Sequence, residues 1–125
     1  MSPHEDSTLS SAWTRGGDRV VFQSCGACAH TWYFHRGFCP ACGRVAPTSL
    51  TSLGTGTVYA STLVQRAPSD EFRAIAPYRI LLVDVIEGFR MMGHGERSLV
   101  IGDRVQCHVQ TMAGRLLPFF NRKLS

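Results

Sequence analysis

From residue 57 onward, apolar side chains recur at every second position or gather in short blocks, each closed by glycine, proline or a polar turn. Period two belongs to β-strands, whose successive side chains point to opposite faces. The blocks "TVYASTLVQR" (57–66), "YRILLVDVIEG" (78–88), "FRMMGHG" (89–95), "DRVQCHVQ" (103–110) and "RLLPFF" (115–120) therefore predict five strands. A loop with Pro68 and Pro77 separates the first two, and Glu87-Gly88 makes a tight turn between the second and third. Five short strands with glycine-containing turns predict a small barrel, and five is the strand count of an OB-fold.

The N-terminal half reads differently. Residues 1–17 are a polar tail and a short helix containing Trp13, with Ser10 or Ser11 as its cap and Gly16-Gly17 as its end. Over 18–46, "DRVVFQ" (18–23) reads as a strand leading into one Cys-x-x-Cys pair and "HTWYFH" (30–35) as a strand leading into another. Strand and knuckle, repeated, is the layout of a rubredoxin-like zinc ribbon. The Pro/Ser/Thr/Gly stretch "APTSLTSLGTG" has little to bury, so 47–56 is taken as a linker and 57–125 as the barrel domain. The fold class expected is mainly β, with a short helix, a ribbon and a five-stranded OB-fold barrel in that order.

One strand bears on partners. In "YRILLVDVIEG", Ile80, Leu82 and Ile86 point one way and Leu81, Val83 and Val85 the other. Both faces want cover. The barrel interior supplies one; the ribbon, the N-terminal helix or a partner subunit supplies the other.

With 125 residues, 44% hydrophobic and 18% charged, the chain is globular and its core small. A local staple would matter to it. No basic, then apolar N-terminal signal stands out in "MSPHEDSTLSSAW", and no run nears the roughly 18 apolar residues that span a bilayer. The expectation is a cytoplasmic protein without membrane contact, where thiols stay reduced. The net charge of +4 comes almost wholly from scattered arginines, Lys123 being the sole lysine. Four metal-bound thiolates and a divalent cation bring it to about +2. Neither figure marks a nucleic-acid patch.

Cys25/Cys28 and Cys39/Cys42 are two Cys-x-x-Cys pairs with ten residues between them. Thioredoxin-type redox motifs come singly at helix N-termini, whereas two turns can bring four thiolates onto one tetrahedral ion at about 2.3 Å. Cys25, Cys28, Cys39 and Cys42 are thus the candidate ligands of a structural Zn²⁺, with rubredoxin-like iron as the alternative. Gly26-Ala27 and Gly43 allow the turns to fold tightly.

Other chemistry-bearing residues carry less. His30 and His35 are spare beside four cysteines. Cys107 and His108 are neighbours on one strand, so they face apart and form no dyad; Cys107 alternates with Val105 and Val109 as a buried thiol. Gly54-Thr55-Gly56 precedes no helix, Gly93-His94-Gly95 reads as a turn, and Asp84 is paired with an arginine or sits near a barrel rim. No nucleophile, base and orienter converge, so a free-standing enzyme is the weakest reading and no catalytic residue is named. The alternative is a single-stranded nucleic-acid-binding module using Tyr59, Tyr78 and Phe89 as stacking platforms.

From Trp13 to Phe120, the blocks "DRVVFQSC", "CGAC…WYFHRGFCPACG", "GTGTVYASTLV", "PYRILLVDVIEGFRMMG", "IGDRVQC" and "GRLLPFF" follow in an order and spacing that resembles the acyl-CoA-associated zinc-ribbon/OB-fold proteins, long catalogued as a domain of unknown function. His35 departs from the proline common in relatives, and the "NRKLS" tail is this chain's own. The resemblance implies an accessory subunit of a heteromeric acyl-CoA enzyme. It implies a thiolase-like, acyltransferase or aldolase large subunit that carries the nucleophile, and a coenzyme A thioester at the interface of the complex. The zinc ligands it implies are Cys25, Cys28, Cys39 and Cys42; no residue is named for coenzyme A.

Overall fold

The computed structural model describes residues 8–66 and 69–124; the tail read over residues 1–7 and the loop residue Pro68 lie outside them. The chain is mainly β. A 3₁₀ turn (Trp13–Arg15) precedes β1 (Val21–Ser24), β2 (Thr31–Trp32), β3 (Thr48–Thr51) and β4 (Thr55–Val64). A single-turn helix α1 (Asp70–Arg73) follows, and then β5 (Tyr78–Val85), β6 (Arg90–Gly95), β7 (Arg104–Met112) and β8 (Arg115–Arg122).

The last five strands close into a barrel in the order β4-β5-β6-β8-β7. All five expected from the alternation are present. The first starts earlier than its pattern, because Thr55, Gly56 and Thr57 pair with Gln106, Val105 and Arg104 to close the cylinder. Leu81, Val83 and Val85 of β5 point inward with Val58, Met91, Leu99, Val105 and Phe120, so one apolar face of that strand is the core. On the other face Ile80 is half-buried beneath Trp13, Tyr33 and Phe34, while Ile86 is exposed. Gly93 is needed for packing, since a Cβ there would lie 2.7 Å from the Phe120 ring.

Four expectations are corrected, three in the N-terminal half and one in the barrel. The turn holding Trp13 ends at Gly16 (φ 88°) as expected, but its cap is Ala12 with no side-chain bond, while Ser11 Oγ donates backward to Thr8 O at 2.6 Å. The strand read over 30–35 shrinks to Thr31–Trp32, because Gln23 Oε1 takes the Arg36 N–H at 2.6 Å and draws that segment out of strand pairing. The supposed linker 47–56 contains β3, which pairs with β1 from Val21↔Thr51 to Ser24↔Thr48 and makes a sheet in the order β2-β1-β3. Serine and threonine accept an extended conformation, and the otherwise free edge of β1 supplies their partner. Gly93-His94-Gly95 is no turn but the end of β6, paired with β5 through Ile80↔His94.

In the proline loop, Ser69 Oγ accepts from Phe72 N–H at 3.4 Å and caps α1. No helix among the described residues is long and apolar enough to cross a membrane.

Candidate metal centre

Two knuckles of matching construction carry the four cysteines. Cys25 N–H donates to His30 O at 2.9 Å and Ala29 N–H to Cys25 O at 3.0 Å. Fourteen positions on, Cys39 N–H donates to Arg44 O at 2.8 Å and Gly43 N–H to Cys39 O at 2.8 Å. Both turns finish in the left-handed region, at Ala29 (φ 63°) and Gly43 (φ 82°). Glycine adopts this conformation freely, whereas alanine does so at a cost. In each knuckle the N–H two residues on points at the first sulfur, from Ala27 to Cys25 Sγ and from Ala41 to Cys39 Sγ, both at 3.4 Å.

The knuckles interleave their sulfurs. Cys25 Sγ lies 3.6 Å from Cys42 Sγ, and Cys28 Sγ lies 3.6 Å from Cys39 Sγ. All four fall within 4.8 Å of one another. A tetrahedron of thiolates at 2.3 Å from an ion has edges of about 3.8 Å, so donor set and spacing fit one soft, four-coordinate ion. None of the five cysteines is in a disulfide. Cys25 and Cys39 are buried with Trp32, while Cys28 and Cys42 face outward.

Electrostatics at the cluster favour thiolate at the inner positions. Backbone N–H groups of Cys28 and Ala27 bring the Cys25 thiol down to about 6. Burial pushes Cys39 up, but the N–H groups of Cys42 and Ala41 outweigh it and hold the thiol below its ordinary value. Both are the positions whose sulfurs the knuckle amides approach.

The remaining candidates are spread out. His30 stacks on Trp32 with ring centroids 5.6 Å apart, and neither it nor His35 joins the cysteine cluster. Cys107 is buried in the barrel and its thiol is pushed up to about 12 by burial, while His108 is exposed on the opposite face. Asp84 is paired with Arg90 at 2.7 Å. Tyr78 and Phe89 are buried, so of the three proposed stacking aromatics only Tyr59 is exposed, and the Arg90 guanidinium covers it at 3.6 Å from the ring centroid. The aromatic platform of a single-strand binder is therefore not assembled.

Two features went unread in the sequence. Ribbon and barrel share a cleft of about 360 Å³ that presents Arg36 and Arg90 between aromatic walls from Trp32 and Phe34. His94 is buried, at 7% exposure, against Phe72 and Tyr78, with ring centroids 5.8 and 5.0 Å away. His94 shares its side of β6 with exposed Met92, so the alternation carried no signal of its burial.

A family model described as the ChsH2 C-terminal OB-fold domain matches residues 51–110. A DUF35 domain-containing scaffold protein of Methanothermobacter thermautotrophicus is 31% identical over an alignment 87 residues long that covers 66% of this chain and 65% of that protein. This chain thus spans a little under two thirds of that relative. Among solved structures, a chain of the Ltp2-ChsH2(DUF35) aldolase matches with a TM-score of 0.75 and 24% identity, over 99% of this chain and 98% of its own. A DUF35 protein of unknown function from Sulfolobus solfataricus matches with a TM-score of 0.61 and 13% identity, over 98% and 87%.

Proposed function

We propose, from the premise that this chain belongs to the DUF35/ChsH2 OB-fold family, that it is a non-catalytic accessory subunit of a heteromeric acyl-CoA enzyme in the cytoplasm. The observation that carries this is the end-to-end correspondence of ribbon and barrel with a chain of an aldolase assembly. The scaffold role in the name of the archaeal relative points the same way. Its large subunit is an aldolase or a thiolase-fold enzyme or acyltransferase, and that subunit carries the reacting groups.

In this role the ribbon is a structural module closed by one Zn²⁺ on Cys25, Cys28, Cys39 and Cys42. Four thiolates leave no open coordination position, so the ion staples rather than reacts. The cleft shared by ribbon and barrel supports an acyl-CoA thioester at the interface, because the guanidinium of Arg36 suits phosphate and the aromatic walls suit a flat ring.

Co-expression with aldolase- or thiolase-like large subunits from the same genome tests the proposal. A stable complex with higher acyl-CoA turnover than the large subunit alone is expected, and no turnover by this chain alone. Turnover by the isolated chain, or a large subunit fully active and soluble without it, overturns the accessory role.

A further inference from the structure

Side chains along β6 alternate between the two walls of the barrel. Positions 93 and 95 face inward, where a Cβ would crowd the Phe120 ring and the Leu81 side chain, so His94 faces out. It is buried all the same, under Tyr78 of β5 and Phe72 of α1. Phe72 stacks on the imidazole with 12° between the ring planes. Nδ1 is shut off from water and has no hydrogen-bond partner among the described residues.

Little else fastens α1 to the barrel. Its backbone bonds are internal, from Arg73 N–H to Ser69 O at 2.9 Å, Ala74 N–H to Asp70 O at 3.3 Å and Ile75 N–H to Phe72 O at 3.2 Å. The Glu71–Arg115 pair, at 4.0 Å between groups 59% and 66% exposed, adds little in water. What remains is the packing of Phe72 and of half-buried Ile75 beside His94.

A neutral imidazole tolerates this enclosure and an imidazolium does not. Both nitrogens of the charged ring must donate, and Nδ1–H would have neither acceptor nor water. The surrounding charges are committed elsewhere. On α1, Asp70 pairs with Arg73 at 3.0 Å, and Glu71 with Arg115 of β8. Arg79 of β5 donates to Arg97 O and Ser61 Oγ, and Glu96, after β6, accepts the Arg122 N–H at 2.7 Å. His108 of β7, across Phe119, is hydrogen-bonded to Gln110. Among the described residues no carboxylate is ion-paired with His94.

We propose that the Phe72–His94 stack is a pH-sensitive latch, in which the imidazole takes up a proton only when α1 leaves the barrel, so that acidification releases residues 69–77. Burial holds the His94 pKa of the closed form below the ordinary 6.5, whereas the open form keeps that value. The open form therefore binds more protons. Closure is undiminished above pH 6.5 and weakens as pH falls below it, by up to about tenfold in the open-to-closed ratio per pH unit. The latch does not depend on the accessory role.

Chemical-exchange NMR of the metal-loaded full chain tests it, with the open population read at the Phe72, Arg73 and Ala74 amides. That population should rise about tenfold between pH 7.5 and 5.5, while the Leu81 and Val105 amides show no such change. His94→Phe keeps an aromatic ring in the stack, leaves His108 in place and should abolish the pH response. Phe72→Ala removes the cover and should raise the His94 midpoint toward 6.5. An open population that does not grow with acid, a response that survives His94→Phe, or a His94 midpoint unmoved by Phe72→Ala overturns the latch. Barrel amides that open together with α1 overturn it as well, because the event is then global unfolding.

Discussion

Gln23 Oε1 accepts two hydrogen bonds, from Trp32 Nε1–H at 2.8 Å and from Arg36 N–H at 2.6 Å. One buried amide oxygen thus fixes the indole that packs on the inner cysteines and also the chain leading to the second knuckle. Gln23→Leu keeps the volume and orphans both donors. It should cost roughly 2–3 kcal/mol, by the penalty for unsatisfied buried groups, read from denaturant unfolding of the metal-loaded chain by tryptophan fluorescence. A loss below half a kcal/mol would mean that water replaces the amide.

Protein purified without added metal should contain close to one zinc per chain. Binding of a structural zinc is worth roughly 10–16 kcal/mol in peptides, comparable to or larger than the net stability of a domain, about 5–15 kcal/mol. Cys25→Ser should therefore abolish stoichiometric zinc and the order of the ribbon, whereas Cys107→Ser should leave zinc content unchanged. Metal analysis with near-ultraviolet circular dichroism checks both; a stoichiometry near zero, or iron in place of zinc, would refute the assignment.

The face of β5 matters for any partner assay. Val83 is fully buried in the barrel and Val85 nearly so, whereas Ile86 is 56% exposed. A charge at Val83 would be buried without a counter-ion, so Val83→Asp should unfold the barrel and reveal nothing about binding. Ile86→Asp should leave the far-ultraviolet spectrum unchanged and weaken capture of the large subunit if this end of the barrel meets it. A folded Ile86→Asp chain that binds with full affinity removes that end from the interface.

Alkaline stability should report on Cys107. Its thiol titrates near 9 when unfolded and at about 12 when folded. Because the folded value is the higher one, the contribution is fully present below pH 9 and is lost as pH rises from 9 toward 12, at about 1.4 kcal/mol per pH unit. Tyr33, raised by burial from 10 to about 12, adds to the fall above pH 10. Cys107→Ser, whose hydroxyl does not titrate in this range, should flatten the slope between pH 9 and 10; an unchanged slope would place the titrating group elsewhere.

The cysteine spacing and the two-residue alternation are local signals, and they alone determined the cluster and the five barrel strands. Cys25, Cys28, Cys39 and Cys42 meet because each knuckle closes on its own backbone within five residues. That Leu81, Val83 and Val85 go inward rather than Ile80, Leu82 and Ile86 was decided by closure of the barrel, since both faces of β5 are apolar. What tertiary structure decided rests on partners far along the chain. β3 carries no apolar alternation and becomes a strand only because β1 offers a free edge about 27 positions away. Tyr33 and Phe34 look like strand residues, yet the Gln23–Arg36 bond ends the strand and frees Tyr33 to stack on Phe89 of the barrel, with ring centroids 5.6 Å apart. His94 sits between glycines that read as a turn. Its burial follows from the approach of Phe72 and Tyr78, which no local pattern encodes.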